Sequence, residues 1–421
     1  MRYILTLVLF LLIQIAYSQS RINRAITNYN LAKEAYQQGD YSGFLDQMIK
    51  ADSLLPFSRP IKYNLAAAYS MNGLFQKSYN VIDQLILIDT NIPFNEDSVF
   101  SKLKTDNSYS KYLKKVDQQN EEISNSQVAF EIEEIDLHPE SVTFDPGSGF
   151  FYISSMRKRK VVRYDPKDQT VEDWITTADI RDLYGVMGMK VSPDGNYLWL
   201  CSSPLPEMEG FDNNGRYTPS VFKISLSDKS KYDQYALPVD AVPGDLVLSE
   251  NGNCYVSDSA IPRIFMIKKN RAQIFYDGQE TLVNLQGITL NKNTLFIADY
   301  LLGVHWMSLT DKEPQPVSID PPNNLAGVDG LYFYQNSLIT VQNGVYPYRI
   351  GRYYLDDQNN ILNFEFYEKA SEYLDEPTLG VITDDRLYFV ANSPWKYYEE
   401  SRLLTDKIKT PQIRYLDLQY D

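Results

Sequence analysis

Six residues hold one equivalent place in six copies of a strand–turn–strand pattern: Glu140, Met187, Gly244, Gln286, Asp329 and Thr378. Three of them carry the side-chain oxygens that a hard cation prefers, Thr378 adds a hydroxyl, and Asp245 stands one step from the third position. Two or three carboxylates with an amide carbonyl suit calcium, whose ligand distances are about 2.3–2.6 Å. If the protein does chemistry, its working groups are carboxylates, amides and hydroxyls. A plain polar lining bonded to water is the alternative use of such a ring.

Little else in the composition offers chemistry. The 421 residues include two His and two Cys, too few and too scattered for a zinc, haem or iron–sulfur centre. No phosphate-binding glycine loop, Ser-His-Asp order or cysteine-nucleophile setting occurs. Net charge is −15 with no long basic block, which argues against a nucleic-acid partner. Met156–Lys160 is the one basic cluster and reads as a hairpin tip. His138, two residues before Glu140, reads as a solvent-facing loop residue or a proton shuttle at the channel mouth, and His305 as packing. Asp258 and Asp299 end matching strands and are expected to bond turn amides. The long acidic loop 204–219 reads as a solvated loop, with a lid or a second calcium site as alternatives.

The elements that must position these groups follow from the spacing. From about residue 126, Gly, Asn, Asp and Pro turns punctuate short β-branched and aromatic runs. The copies at 139–155, 186–203, 243–259, 285–300, 328–344 and 377–393 begin 42 to 57 residues apart, the length of a four-stranded propeller blade. The expected fold is therefore mainly β, a six-bladed β-propeller over 126–421 whose innermost strands bring the six equivalent positions to the axis. Residues 413–418 offer a strand to complete blade one. Cys201 and Cys254 fall on neighbouring blades with a three-residue offset, roughly 10 Å along a strand, beyond the ~7 Å reach of a disulfide. Two free buried thiols are expected.

Ahead of the propeller, Tyr29, Leu31, Ala32, Gly39 and Tyr41 recur 34 residues later as Tyr63, Leu65, Ala66, Gly73 and Phe75. This resembles the tetratricopeptide repeat and predicts a small all-α domain over 19–125, with a capping helical stretch between about Asn95 and Gln127. It serves as a packing module or as a surface for a protein partner. Lys33, Lys50, Lys62 and Lys77 read as solvated. Residues 1–18 have a basic start, an apolar run and a small-x-small end, the pattern of a signal peptide. The mature chain is then periplasmic or secreted and starts near Gln19, with no stable membrane span.

The blade entrances resemble those of the regucalcin/gluconolactonase family of six-bladed propellers, over roughly 126–421. Pro139-Glu140-Ser141 matches that family's first-blade metal ligand and Asp329-Gly330 its fifth-blade ligand and general base; Pro377-Thr378 matches the sixth entrance. Gln286-Gly287 stands where the family has Asn-Gly, one methylene longer, and Gly244-Asp245 where it has an Asn. The resemblance implies a divalent ion, calcium first and magnesium, manganese or zinc as alternatives, held by Glu140, Gln286 and Asp329. It implies hydrolysis of a sugar lactone or related cyclic ester with Asp329 or Asp245 as base. The altered ligands and the fused helical repeat support the alternative, an exported binding or scaffold protein.

Overall fold

The structure, a computed structural model, describes residues 21–419 apart from 95, 106–108, 280 and 320–322. The expected signal segment lies outside the described residues. The chain divides into a helical unit through Asp117, which takes in Gly278–Val283, and a second unit of Gln118–Asp277 and Asn284 onward.

In the helical unit α1 (Arg21–Gln37) and α2 (Tyr41–Leu54) form one hairpin, and α3 (Arg59–Met71) and α4 (Phe75–Ile86) another. Each reverses at a left-handed glycine, Gly39 at φ 74° and Gly73 at φ 72°. Asp40 then caps α2 by accepting from the Gly43 amide at 2.9 Å. Ala25, Ala32, Ala66 and Ala68 are fully buried, small enough for the helices to close on one another. Lys62, expected in solvent, is 5% exposed and binds Asp52 at 2.9 Å and Gln84 at 2.6 Å. Its helix α3 packs against both α2 and α4, so a face that one hairpin leaves outside is enclosed by the stack. The helix α5 (Tyr109–Asn120) stacks Tyr112 on Tyr79, centroids 4.5 Å apart. It stops short of the expected Gln127, because Ile123–Ser124 already pairs with Glu368–Lys369.

The second unit is the expected six-bladed propeller. Each blade is an antiparallel sheet of four strands, one of them extended to five by Ile123–Ser124. Blades one to five run in chain order, with innermost strands Pro139–Asp145, Gly185–Val191, Pro243–Leu248, Leu285–Asn291 and Val328–Tyr334. Blade six, from the centre outward, is Gly380–Thr383, Arg386–Val390, Gln412–Asp417 and Gln127–Glu131. The C-terminal strand therefore belongs to blade six, not to blade one, and the strand entering the propeller covers its outer edge. Blade one needs no loan because four consecutive strands complete it.

Apolar residues fill the seams between blades. Leu198, Leu200 and Phe222 of blade two meet Tyr152, Val161 and Ile175 of blade one, for example. Cys201 and Cys254 lie buried as free thiols in the next seam, as expected.

Candidate functional site

Five of the six residues expected at the axis share a backbone feature, and Thr378, ahead of the unbroken strand Gly380–Thr383, does not. The register of the innermost strand breaks between Pro139 and Val142, Val186 and Met189, Pro243 and Leu246, Leu285 and Ile288, and Val328 and Gly330. Each break releases Glu140, Met187, Gly244, Gln286 or Asp329 from the ladder of its own blade. A bulge frees a side chain from the alternation of a pleated strand, which is how sheets re-aim a functional group. The bulged backbones also press on their neighbours: a Cβ on Gly287 would stand 2.4 Å from the Asp329 carbonyl oxygen.

Glu140 is 5% exposed. Its Oε2 accepts from the Trp395 indole at 2.8 Å and from Ser393 Oγ at 3.2 Å. Its main-chain oxygen takes the Thr378 hydroxyl at 2.8 Å, joining blades one and six. Burial, and then the negative charge of Asp329, hold the Glu140 carboxyl well above the ordinary carboxylate range.

Asp329 is 8% exposed, and its Oδ2 accepts from Asn343 Nδ2 at 2.7 Å. Asn343 is oriented in turn by Tyr300, whose hydroxyl donates to Asn343 Oδ1 at 2.9 Å. Burial is the main reason that Asp329 is pushed up to about 7; Asp245 and Glu376 add repulsion, and the Asn343 bond opposes them. Burial and the charges of Asp329, Glu376 and Glu140 also push the Tyr300 phenol up, which keeps it a neutral donor.

Asp245 is 1% exposed and sits in the seam between blades three and four, its Oδ2 accepting from the Ile288 amide at 3.3 Å. Its Oδ1 is buried without a partner, and burial raises its proton affinity against the pull of Lys190. Gln286 turns its amide toward the blade-three side, accepting from Ser259 Oγ at 3.3 Å and donating to Asn284 Oδ1 at 2.8 Å. No hydrogen bond joins Gln286 to Glu140 or Asp329.

Among the residues the sequence did not mark, Glu376 stands out. It takes a left-handed backbone, φ 64°, which a non-glycine residue adopts at a cost. Its Oε2 accepts from the Lys396 amide at 2.9 Å, and its charge acts on Glu140, Asp329 and Tyr300. It lies two positions before the aligned Thr378, so the alignment passed over it. Trp395, Asn343 and Tyr300 lie outside every repeated entrance and carried no signal.

The remaining candidates have structural partners. His138 is fully buried at φ 51°, not in solvent, with Nδ1 2.7 Å from the Tyr398 hydroxyl and the Trp395 ring edge-on at 4.5 Å. Burial lowers its pKa to about 3, so it stays neutral. Arg157 and Lys158 of the basic cluster pair with Asp136 and Glu209, and Lys160 with Glu134 and Asp173. In the loop 204–219 Met208 belongs to the blade-two core, and Leu205, Phe211 and Tyr217 pack against it. Asp258 caps the Val242 and Ala260 amides and binds Arg263; Asp299 caps Leu301 and Leu302.

Among the described residues no group of three or more His, Cys, Asp and Glu side chains is arranged to hold a metal ion. The donors do fit a hard cation in kind. Glu140 Oε1 and Asp329 Oδ1 make no hydrogen bond to the described residues, and the two carboxyls repel one another.

No protein-family model matches the chain, and no curated protein matches it. Among solved structures it is similar to a gluconolactonase from Xanthomonas campestris, at 11% identity over 69% of this chain and 94% of that one, TM-score 0.45. It is similar to a calcium-binding protein, regucalcin, from Agrobacterium tumefaciens, at 12% identity over 70% and 93%, TM-score 0.47. It is also similar to the major Malassezia sympodialis allergen Mala s 1, at 14% identity over 68% and 95%, TM-score 0.49. Likenesses of this size carry no activity, substrate or ligand over to this chain. No described helix is long and apolar enough to cross a membrane.

Proposed function

We propose that the chain is an exported hydrolase of a sugar lactone or related cyclic ester, acting at the channel end that holds Glu140 and Asp329. One observation carries the reading: Asp329 is a buried carboxyl at a blade entrance, held through Oδ2 by Asn343 with Oδ1 left open, and burial pushes its proton affinity up. A general base works best when its pKa lies near the working pH. Export rests on the pattern of residues 1–18.

Asp329 takes the proton of the attacking water through Oδ1, the oxygen that Asn343 leaves open. Water oxygen bonds to the carbonyl carbon, the ring C–O bond breaks, and the proton passes to the departing alkoxide. Asp245 is the weaker candidate because it lies in the seam between blades three and four, 1% exposed against 8% for Asp329. A divalent cation, calcium first and magnesium, manganese or zinc as alternatives, would be held by the Glu140 and Asp329 carboxylates, joined by the Gln286 amide oxygen once it leaves Ser259, and would polarise the ester carbonyl.

The test is lactone turnover by the purified protein with each of the four ions. Glu140→Gln and Asp329→Asn are expected to lower kcat by at least ~10²-fold. No turnover of any lactone by the unaltered chain with any ion overturns the reading. The second reading, a binding or scaffold protein, has its own observation in the helical unit. There a groove of about 340 Å³ is lined by Tyr29, Lys33, Tyr36, Phe44, Tyr63 and Asn64, among others, and suits a peptide partner.

A further inference from the structure

The segment between the second and third strands of blade six, residues 391–411, makes contacts that a simple connection does not require. It begins in a short turn, Trp395–Tyr397, and continues into a two-stranded hairpin, Tyr398–Glu399 with Arg402–Leu403. Two of its side chains, Ser393 and Trp395, donate to one oxygen of Glu140, at 3.2 and 2.8 Å. Its backbone brackets Glu376: the Ser393 amide donates to the Glu376 main-chain oxygen at 3.2 Å, and the Lys396 amide to the Glu376 carboxylate at 2.9 Å.

We infer that this insert positions the carboxylates of the site, with Trp395 as its principal contact on Glu140, and that the same insert fixes Glu376. The inference rests on the reading of the channel end as the working site, and adds to it two residues that the repeated entrances do not mark.

The physical case has three parts. An indole N–H is a donor only, so Trp395 serves a carboxylate and cannot compete as an acceptor. Because Trp395 and Ser393 both take Oε2, Glu140 is left with Oε1 for whatever enters the channel. The insert itself is fastened: Tyr397 Oη donates to Asp375 Oδ2 at 2.9 Å, Lys396 pairs with Asp375, and the Trp395 ring abuts His138, which Tyr398 holds through Nδ1. Glu376 follows Asp375 directly, so the fastening on one residue sets the register of the next. Its left-handed backbone is the local distortion that tolerates this register.

Two measurements test the inference, one of which needs no turnover. Calcium binding by titration calorimetry is expected to weaken roughly ten-fold or more in Trp395→Phe, which keeps a ring and loses the N–H. Ser393→Ala is expected to weaken it less, because its bond is the longer one. Wild-type calcium affinity in Trp395→Phe, with an unchanged melting temperature, overturns the positioning role. In a ¹H–¹⁵N spectrum the chain has four indole signals, and loss of one in Trp395→Phe assigns it. Glu376→Gln is expected to shift that signal through the shared insert, and an unshifted signal overturns the place of Glu376. If the unaltered chain neither binds calcium nor opens lactones, the hydrolase reading fails, while the indole signal still decides whether the insert couples the two carboxylates.

Discussion

Glu140 and Asp329 are two acids buried within electrostatic reach of each other, and that arrangement has a thermodynamic signature. In the folded chain Asp329 is pushed up to about 7, while unfolded it returns to the ordinary carboxylate value. Between those two points the native state binds more protons than the unfolded state, so stability falls as pH rises and the loss is complete above about 7. Glu140, Asp245 and Glu376 are raised for the same leading reason, burial, and act in the same direction. Without added cation, Tm is expected to fall between about pH 4 and about pH 7, and Asp329→Asn to flatten much of that fall. A Tm that rises across the interval in thermal melts contradicts the placement of these groups.

At the scale of elements, the entrance bulge explains why part of the site was legible in the sequence. Five of the six copies carry the same bulge in the innermost strand, and aligning the copies finds Glu140, Gln286 and Asp329 without any knowledge of the fold. Trp395 was beyond that method. It is 255 residues from the carboxylate it binds and sits in an insert outside the repeated entrances, so only closure of the ring brings the two together. Lys62 was misread for a related reason, since its burial comes from helix stacking and not from the pattern of its own helix. Gln286 shows a further limit: its place was found, but the direction of a long amide is decided by Ser259 and Asn284. The bulges also limit substitution. Gly287→Ala would drive a methyl to 2.4 Å from a backbone oxygen that cannot step aside. It is expected to destabilise the chain by about 1–3 kcal/mol in urea denaturation. A cost below about 0.5 kcal/mol would show that the seam yields.

For the whole molecule, the six-fold repetition was readable from spacing alone, whereas the manner of closure was not. A C-terminal strand could serve either end blade on sequence grounds; the pairing of Gln412–Asp417 with both Arg386–Val390 and Gln127–Glu131 decides it. Phe130 and Ile132, from the entering segment, share a core with Ile413 from the last strand and Val142 and Ile153 of blade one. Removal of residues 1–132 is therefore expected to abolish a cooperative melt, since it opens a core and a sheet edge together. A truncated chain that melts like the full one would show that the outer strand is dispensable.

That shared blade also imposes an order in time on a chain made from its N-terminus. Gln127–Glu131 emerges early and finds its partner only when Gln412–Asp417 appears, almost three hundred residues later. Until then every nascent intermediate is an open arc with raw strand edges at both ends, unable to reach the native contact order. The propeller thus closes only once Gln412–Asp417 has been made, and a chain that stalls before that strand has no closed state to fold into.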